Sequence, residues 1–296
     1  MQFAVNIWFK QIRGPFLILA VLLVFIGLSA AKSAGFTHGL HSLLLMIGVV
    51  QTHIAVNLFN EISDYQTGID SNTVRTPFSG GSGMLQSGKT HLKMVKKVAI
   101  GNLIFSGMIG FYFCIVSSPW ILLFMIAGGL AIRFYTSHLA KWMMGEWIAG
   151  LTLGSAVVLG VYLVLTKSMN GNIVLISVPP GILTTQLLFL NEFPDADADR
   201  KGGRHHWVIG LGKTKSAVLY CILYGVLYIM IGITPWIVSV AKAWMLGLVT
   251  LPLAVAACVG VCRYRDMTEK LVPYMGLNVI VVLTTDLLLG AGLLVG

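Results

Sequence analysis

Long apolar stretches that contain no Asp, Glu, Lys or Arg dominate the chain. A helix needs about 20 apolar residues to cross the hydrocarbon core of a bilayer. The stretch 98–132 is too long for one such helix and is interrupted by Ser117-Ser118-Pro119, so it predicts two helices. The last stretch continues past Asp286 to Gly296, because a helix tolerates a single acid that faces protein. The pattern therefore predicts nine membrane-spanning helices, built from the stretches 14–31, 33–60, 98–132, 147–166, 168–191, 216–241, 243–262 and 271–285.

Composition agrees with a membrane protein and excludes a water-soluble one. Of the 296 residues, 56% are hydrophobic and only 10% are charged, whereas soluble proteins are about one quarter charged. The net charge of +9 would suit a nucleic-acid partner only if the basic residues formed one surface patch, and they are instead spread over several loops. We expect an all-α polytopic membrane protein with a single domain over residues 1–296, which is embedded in the lipid bilayer and binds no nucleic acid.

The basic residues indicate how the helices are oriented. Cytoplasmic loops are enriched in Lys and Arg, and nine helices place 17 of the 20 basic residues on one face, leaving Lys32, Lys167 and Lys242 on the other. We expect the N-terminus to be cytoplasmic and the C-terminus to lie outside the cell (inner) membrane. Ten of the eleven acidic residues also lie at or near the cytoplasmic face. The active site is therefore predicted to open at that face.

Two copies of one polar motif are predicted to follow helices 2 and 6. The segments Asn60-Glu61-Ile62-Ser63-Asp64 and Asn191-Glu192-Phe193-Pro194-Asp195 share the pattern Asn-Glu-x-x-Asp at an offset of 131 residues. The first motif occupies 57–70 and the second 191–204. This repetition predicts two structurally related halves.

The spacing within each motif predicts a cation site. Residues four apart share a helix face, so Asn60 projects with Asp64, and Asp195 projects with both Asn191 and Asp199. Two such clusters would repel each other unless cations lay between them, and Mg²⁺ prefers to share carboxylates with substrate phosphates. The loops supply basic residues around a diphosphate, namely Arg75, Lys89, Arg200, Lys201 and Arg204. Four of them, Arg75, Lys89, Lys201 and Arg204, are predicted to bind it. The alternatives are solvated acidic helix ends and a cation transporter with duplicated acidic sites.

These motifs resemble those of the UbiA superfamily of intramembrane aromatic prenyltransferases. The resemblance covers nearly the whole chain and is most specific at 60–70 and 191–204. It implies nine helices, bound Mg²⁺ and an isoprenyl diphosphate substrate. It implies a catalytic role for Asn60, Asp64, Asn191 and Asp195. The metal ligands that it implies are Asn60, Asp64, Asp70, Asn191, Asp195 and Asp199, and Arg75 and Arg204 would lie near the diphosphate.

Details of the first motif suggest a branch of this family. Glu61 and Gly68 stand where the ubiquinone-type motif has aspartates, and the next acid is Asp70. This spacing resembles the menaquinone-pathway, dihydroxynaphthoate branch, as do the segments 133–136 and 145–146 between helices 4 and 5. The resemblance implies Mg²⁺-dependent transfer of an isoprenyl group from a prenyl diphosphate to a dihydroxynaphthoate-like quinone precursor. A membrane terpene cyclase and prenyl transfer to a non-aromatic lipid are the alternatives.

Three polar residues are candidates for the acceptor or its cavity. Glu146 is a candidate for orienting the acceptor, with capping of helix 5 as the alternative. Tyr135 lies near the level of the motifs, and Asn278 lies about two turns into the last helix.

Other features are assigned by position. His205 and His206 are expected at the surface or near phosphate, because adjacent histidines do not share a helix face. Asp286 lies deep in the last helix, where a hydrogen bond to another helix is expected. The glycine-rich segment 77–83 is expected to form a mobile lid over the diphosphate.

Overall fold

The structure is a computed structural model that describes residues 2–134 and 143–295. All regular structure within these ranges is helical. The helices are α1 Gln2–Gln11, α2 Gly14–Ser33, α3 Gly39–Thr67, α4 Ile69–Asn72, α5 Leu92–Val116, α6 Ile121–Phe134, α7 Gly145–Thr166, α8 Gly171–Lys201, α9 Trp207–Leu211, α10 Lys213–Ile237, α11 Lys242–Tyr264 and α12 Thr268–Val295.

Eight of these helices are long and apolar enough to cross a membrane, by length and composition. A further apolar helix, α6, has only 14 residues and ends where the described part of the chain is interrupted. The all-helical membrane architecture is therefore confirmed. The count of nine spanning helices, their orientation and the relation between two halves stay predictions.

The segments 60–64 and 191–195 lie near the C-terminal ends of α3 and α8, and only the last residues of the two motifs, 68–70 and 202–204, follow these helices. The stretches without charge end at residues 60 and 191, but the helices continue to Thr67 and Lys201. A helix is held by its backbone hydrogen bonds and does not require apolar side chains. It therefore continues through polar residues whose side chains find partners. Helix α3 ends at Gly68, whose φ of 75° gives the left-handed conformation that commonly closes a helix.

Helix α8 is the central element of the bundle. Of the most apolar 18-residue stretch of α8, 78% is buried, against 11% of the corresponding stretch of α5. Helix α8 contacts α7, α10 and α12. A close crossing of α7 and α8 depends on small residues, because a Cβ on Gly150 or Gly181 would collide with Thr185 or Ser155 respectively. The crossing brings the first turn of α7 against the C-terminal half of α8, where Thr185 Oγ1 donates to the backbone oxygen of Glu146 at 3.1 Å.

Asp286 is fully buried in α12, so it faces protein as the sequence predicts. The expected hydrogen bond to another helix is not present: neither carboxylate oxygen of Asp286 has a partner among the residues that the structure describes. Thr285, directly before Asp286, belongs to a chain of hydrogen-bonded hydroxyl groups with Thr250 and Tyr228.

Candidate active site

The two motifs line one cleft of about 90 Å³. Of the six predicted metal ligands, α3 supplies two, α8 supplies three, and α4 supplies one after the turn at Gly68. The structure thus brings together all six predicted metal ligands, which are Asn60, Asp64, Asp70, Asn191, Asp195 and Asp199. Residues 60 and 64 share a face of α3, and residues 191, 195 and 199 share a face of α8, as the spacing of four predicts.

Arg204 connects the two motifs. Its Nη2 forms an ion pair with Asp64, and its Nη1 lies 3.0 Å from Oδ1 of Asp199. The chain turns back after α8 through Gly203, whose φ is 81°, and the backbone N–H of Arg204 donates to the backbone oxygen of Asp199 at 2.9 Å. The cleft therefore holds a guanidinium between carboxylates from the two halves of the sequence.

Arg13, one of the 17 basic residues that the orientation places on the cytoplasmic face, is a second cation in the cleft. It stands directly before α2 in the left-handed conformation, with φ of 54°, and lines the cleft beside the acidic residues. Burial raises the pKa of Asp70, and the positive charge of Arg13 is the largest influence that opposes this rise. A basic residue before a helix is so common at membrane boundaries that its position carries no specific signal.

The glycine-rich segment 77–83 lies against the acidic residues. The backbone N–H of Gly80 donates to Oδ2 of Asp195 at 3.2 Å, and Ser82 donates through both its N–H and its hydroxyl to Glu61. Gly81 has φ of 70°, and a Cβ there would collide with the carboxylate of Asp70. The segment thus packs on the cleft; its predicted motion as a lid stays a prediction.

Three of the four residues predicted to bind diphosphate do not appear among the described residues that line the cleft. Arg75 instead supports the glycine-rich segment, because its Nε donates to the backbone oxygen of Gly80 at 3.2 Å. Lys89 and Lys201 are exposed. Lys201 follows Asp199 by two residues, which places it about 200° around the helix on the opposite face. Of the four, Arg204 alone lines the cleft in the described ranges.

The three residues predicted for the acceptor differ in their surroundings. Glu146 is fully buried, and its Oε1 accepts from the backbone N–H of Trp207 at 2.6 Å. Asn278 is buried away from the cleft, where its oxygen accepts from the hydroxyls of Tyr220 and Tyr224 at 2.8 and 2.6 Å. Tyr135 lies outside the described residues. Asn278 therefore joins helices α10 and α12.

His206 is buried and lines the cleft, so of the two places expected for it the surface is excluded and a place near phosphate stays a prediction, whereas His205 is exposed. The Nε2 of His206 lies 3.2 Å from Oδ2 of Asp199, and its Nδ1 lies 3.4 Å from Oε2 of Glu192. The turn after α8 folds back onto the helix and carries His206 inward. No local sequence rule predicts this return, because it depends on the packing of α9 against α8.

An apolar cavity of about 540 Å³ adjoins the cleft. The two spaces share lining residues, which are Arg13, Asn60, Leu188 and Asn191. From there the cavity extends between α3, α5, α6 and α7 to Phe113 and Ile121, at the far ends of α5 and α6. Gly107, Gly128 and Gly160 line it, and a Cβ on any of them would meet no heavy atom within 4 Å.

The residues of the cleft fit Mg²⁺. They offer carboxylate and amide oxygens, which are the hard ligands that Mg²⁺ prefers. In addition, Oδ1 of Asp195 is buried and has no hydrogen-bond partner among the described residues. A buried carboxylate oxygen without a donor is costly unless a cation neutralises it.

Comparison with known proteins identifies the family. The sequence profile of the UbiA prenyltransferase family matches residues 20–278. A 1,4-dihydroxy-2-naphthoate octaprenyltransferase of Bacillus subtilis is 29% identical over 207 residues, covering 69% of this chain and 65% of that protein, which is less than two thirds of its length. The Haemophilus influenzae protein of the same name is 24% identical over 304 residues, covering 98% of this chain and 96% of that one.

The fold agrees with this match. The solved structure of a UbiA homolog from Archaeoglobus fulgidus bound to GPP and Mg²⁺ covers 96% of this chain and 99% of its own, with a TM-score of 0.61 at 12% identity. The family match extends over most of the chain, and the relatives carry the name of the branch that the first motif resembles. The family predicted from the motif residues is therefore confirmed, and the names of these relatives agree with the resemblance to the dihydroxynaphthoate branch. The chain belongs to the UbiA prenyltransferase family.

Proposed function

We propose that this enzyme transfers an isoprenyl group from a prenyl diphosphate to an aromatic acceptor of the dihydroxynaphthoate class, with Mg²⁺ as cofactor. The observation that carries the proposal is the continuity of two spaces of opposite character. A cleft lined by acidic residues and two arginines suits a metal-bound diphosphate, and the adjoining 540 Å³ apolar cavity suits an isoprenyl chain. A substrate that is ionic at one end and apolar along its length would occupy both.

The reaction breaks the bond between the first carbon of the prenyl chain and the diphosphate oxygen, and the electron pair leaves with the diphosphate. Bound Mg²⁺ would neutralise the charge that develops on this leaving group. The six motif residues would hold the Mg²⁺, and Arg13 and Arg204 would add positive charge beside the leaving diphosphate. Apolar walls beside Asn60 and Asn191 exclude water from the allylic cation.

A ring carbon of the acceptor then forms the new carbon–carbon bond. The ring regains aromaticity by losing a proton, or by losing its carboxylate as carbon dioxide in a dihydroxynaphthoate. The names of the Bacillus subtilis and Haemophilus influenzae relatives support this acceptor class, and the diphosphate and Mg²⁺ in the Archaeoglobus fulgidus structure support the donor. Catalytic roles for Asn60, Asp64, Asn191 and Asp195 follow from their place in the cleft.

We further propose that the chain is one domain of nine spanning helices, with the cleft open to the cytoplasmic side of the inner membrane. The clustering of 17 of the 20 basic residues on one face supports this orientation. The three other basic residues agree with it. Lys32 and Lys167 lie at the ends of α2 and α7, and Lys242 begins α11.

The test is an assay of the purified full-length protein in detergent. It uses a labelled all-trans prenyl diphosphate, Mg²⁺ and a small panel of phenolic and naphthoate acids. We expect a labelled lipid product that requires both Mg²⁺ and 1,4-dihydroxy-2-naphthoate. Product formation from the diphosphate without any acceptor would instead identify a terpene cyclase. A product with a lipid alcohol alone would identify a non-aromatic acceptor, and no diphosphate consumption would favour cation transport.

Gly160 provides a test of the cavity. A Cβ at this position would meet no heavy atom within 4 Å, and a leucine side chain there would take room from the prenyl chain. Each buried CH₂ contributes about 0.8 kcal/mol, so displacing two carbons costs roughly 1.6 kcal/mol, or about tenfold in affinity. We expect Gly160→Leu to raise the KM for a long prenyl diphosphate about tenfold and that for geranyl diphosphate far less.

The matched control is Gly225→Leu. Gly225 is exposed on α10, has no heavy atom within 4 Å of a Cβ and does not line the cavity. This control should leave both KM values unchanged. An equal effect of Gly160→Leu on the short and the long substrate would contradict the placement of the chain in this cavity.

A further inference from the structure

Three buried side chains at the edge of the cleft converge on one point, and two of them, Glu192 and His206, also line the cleft. Glu146 begins α7, Glu192 lies in α8 and His206 stands directly before α9. One ligand atom of each lies within 4.8 Å of the ligand atoms of the other two. All three residues are more than nine-tenths buried. Neither Glu192 nor His206 belongs to the six ligands assigned to Mg²⁺.

The hydrogen bonds around the cluster determine what faces its centre. Oε1 of Glu146 is occupied by the backbone N–H of Trp207, so Oε2 is the oxygen left inside. Asp199 can only accept, so Nε2 of His206 must donate to it, at 3.2 Å. In the neutral imidazole this leaves Nδ1 as a lone pair that points at the glutamates.

When both glutamates are ionised, three acceptor atoms therefore face one another. Among the described residues, Oε2 of Glu146, Oε2 of Glu192 and Nδ1 of His206 are buried and have no hydrogen-bond partner. A proton on Nδ1 would not resolve this, because its 3.4 Å separation from Oε2 of Glu192 exceeds the usual N–H···O range of about 2.7–3.2 Å. That proton would also leave Oε2 of Glu146 unpaired, and buried acceptors without partners are costly.

We propose that Glu146, Glu192 and His206 form a binding site for a divalent transition-metal ion, separate from the Mg²⁺ of the diphosphate cleft. The imidazole nitrogen distinguishes the two sites, because Mg²⁺ prefers oxygen alone whereas Mn²⁺, Fe²⁺ and Zn²⁺ accept imidazole. Metal-bound histidines almost always donate their other ring N–H to a carboxylate, and Asp199 provides that carboxylate.

The spacing requires only a small adjustment. Metal–ligand distances of about 2.0–2.2 Å allow two ligand atoms of one ion to lie up to roughly 4.3 Å apart. The ligand atoms now lie within 4.8 Å of one another. Side-chain movements of under about 1 Å would bring them within the distance that one ion allows. The ion would join the N-terminal turn of α7, helix α8 and the turn before α9. Through His206 it would position Asp199, and with it one side of the diphosphate cleft.

The test uses Mn²⁺ as a paramagnetic probe of the purified full-length protein after treatment with a chelator, without substrate. Pulsed electron paramagnetic resonance detects a coordinated imidazole nitrogen through its coupling to Mn²⁺. His206 also lines the cleft, so a second variant, Glu146→Gln, assigns the nitrogen coupling to the proposed site, because Glu146 is not among the described residues that line the cleft. Undiminished coupling in that variant would contradict the site, and neither measurement depends on prenyl transfer. We expect nitrogen-coupled Mn²⁺ in the wild type, and His206→Gln should abolish the coupling and lower the bound Mn²⁺ by one equivalent.

His205→Gln is the matched control, because His205 is adjacent in sequence but exposed. It should retain both the nitrogen coupling and the full stoichiometry. Glu146→Gln keeps the side-chain volume and the histidine, and should weaken nitrogen-coupled binding by about tenfold or more; it serves if His206→Gln does not fold. Absence of nitrogen coupling in the wild type at saturating Mn²⁺, or its persistence in His206→Gln, would overturn the proposal.

Discussion

Replacing Asp195 by asparagine is expected to lower the rate of prenyl transfer by about 10²–10³-fold, the usual loss when a group that stabilises transition-state charge is removed. Asp195 lines the cleft and contacts the glycine-rich segment 77–83. Its Oδ2 accepts from the N–H of Gly80, and its buried Oδ1 has no partner in the described ranges. Asparagine retains an oxygen for Gly80 but removes the negative charge that would hold Mg²⁺.

Asp197→Asn is the control for this variant. Asp197 is two residues further along α8, so it lies about 200° around the helix, is exposed and does not line the cleft. It should keep the wild-type rate. The measurement is turnover of labelled prenyl diphosphate at a series of Mg²⁺ concentrations, and Asp195→Asn should need more Mg²⁺ for half-maximal rate. Equal rates in the two variants would remove Asp195 from the catalytic site.

Replacing Arg204 by glutamine is expected to lower kcat/KM about 10²-fold and to destabilise the protein when metal is absent. Arg204 is the guanidinium between Asp64 and Asp199, and both carboxylates are largely buried. Removing one partner of a buried ion pair leaves an uncompensated charge, at a cost of about 3–5 kcal/mol. The same variant loses a cation that would face the leaving diphosphate.

Mg²⁺ should separate these two effects. Bound Mg²⁺ would neutralise the same carboxylates, so the drop in the melting temperature of Arg204→Gln should shrink when Mg²⁺ is added, while kcat/KM stays low. Arg200→Gln, one turn earlier and exposed, should match the wild type in both measurements. A stability loss in Arg204→Gln that does not respond to Mg²⁺ would show that Arg204 acts apart from the metal-binding carboxylates.

The predicted site was most accurate where residues are close in sequence. Asn60 with Asp64, and Asn191 with Asp195 and Asp199, share helix faces because the period of a helix is a local property. The repetition of the motif suggested that the two faces meet. The repulsion between their acids then predicted that cations lie between them. The prediction for Lys201 failed because the helical period was not applied to it: a spacing of two residues from Asp199 places it on the opposite face of α8.

Residues far apart in sequence were missed for a related reason. Arg13 was assigned to membrane orientation, and it lies in the cleft because α2 and α3 pack side by side. His206 and Glu192 meet Glu146 because glycines allow α7 to cross α8 closely. A side chain's partners across helices depend on crossing positions, and these depend on residues outside every motif.

The sequence by itself determined the membrane location, the positions of the long helices and the identity of the six acidic and amide residues of the cleft. These properties depend on hydrophobicity and helical period, which are set by neighbours along the chain. Only the tertiary structure decided which cations face the cleft, where the apolar cavity adjoins it and which buried acceptors lack donors. Helix packing decides these contacts, because it brings together side chains separated by more than a hundred residues, such as Asp64 and Arg204.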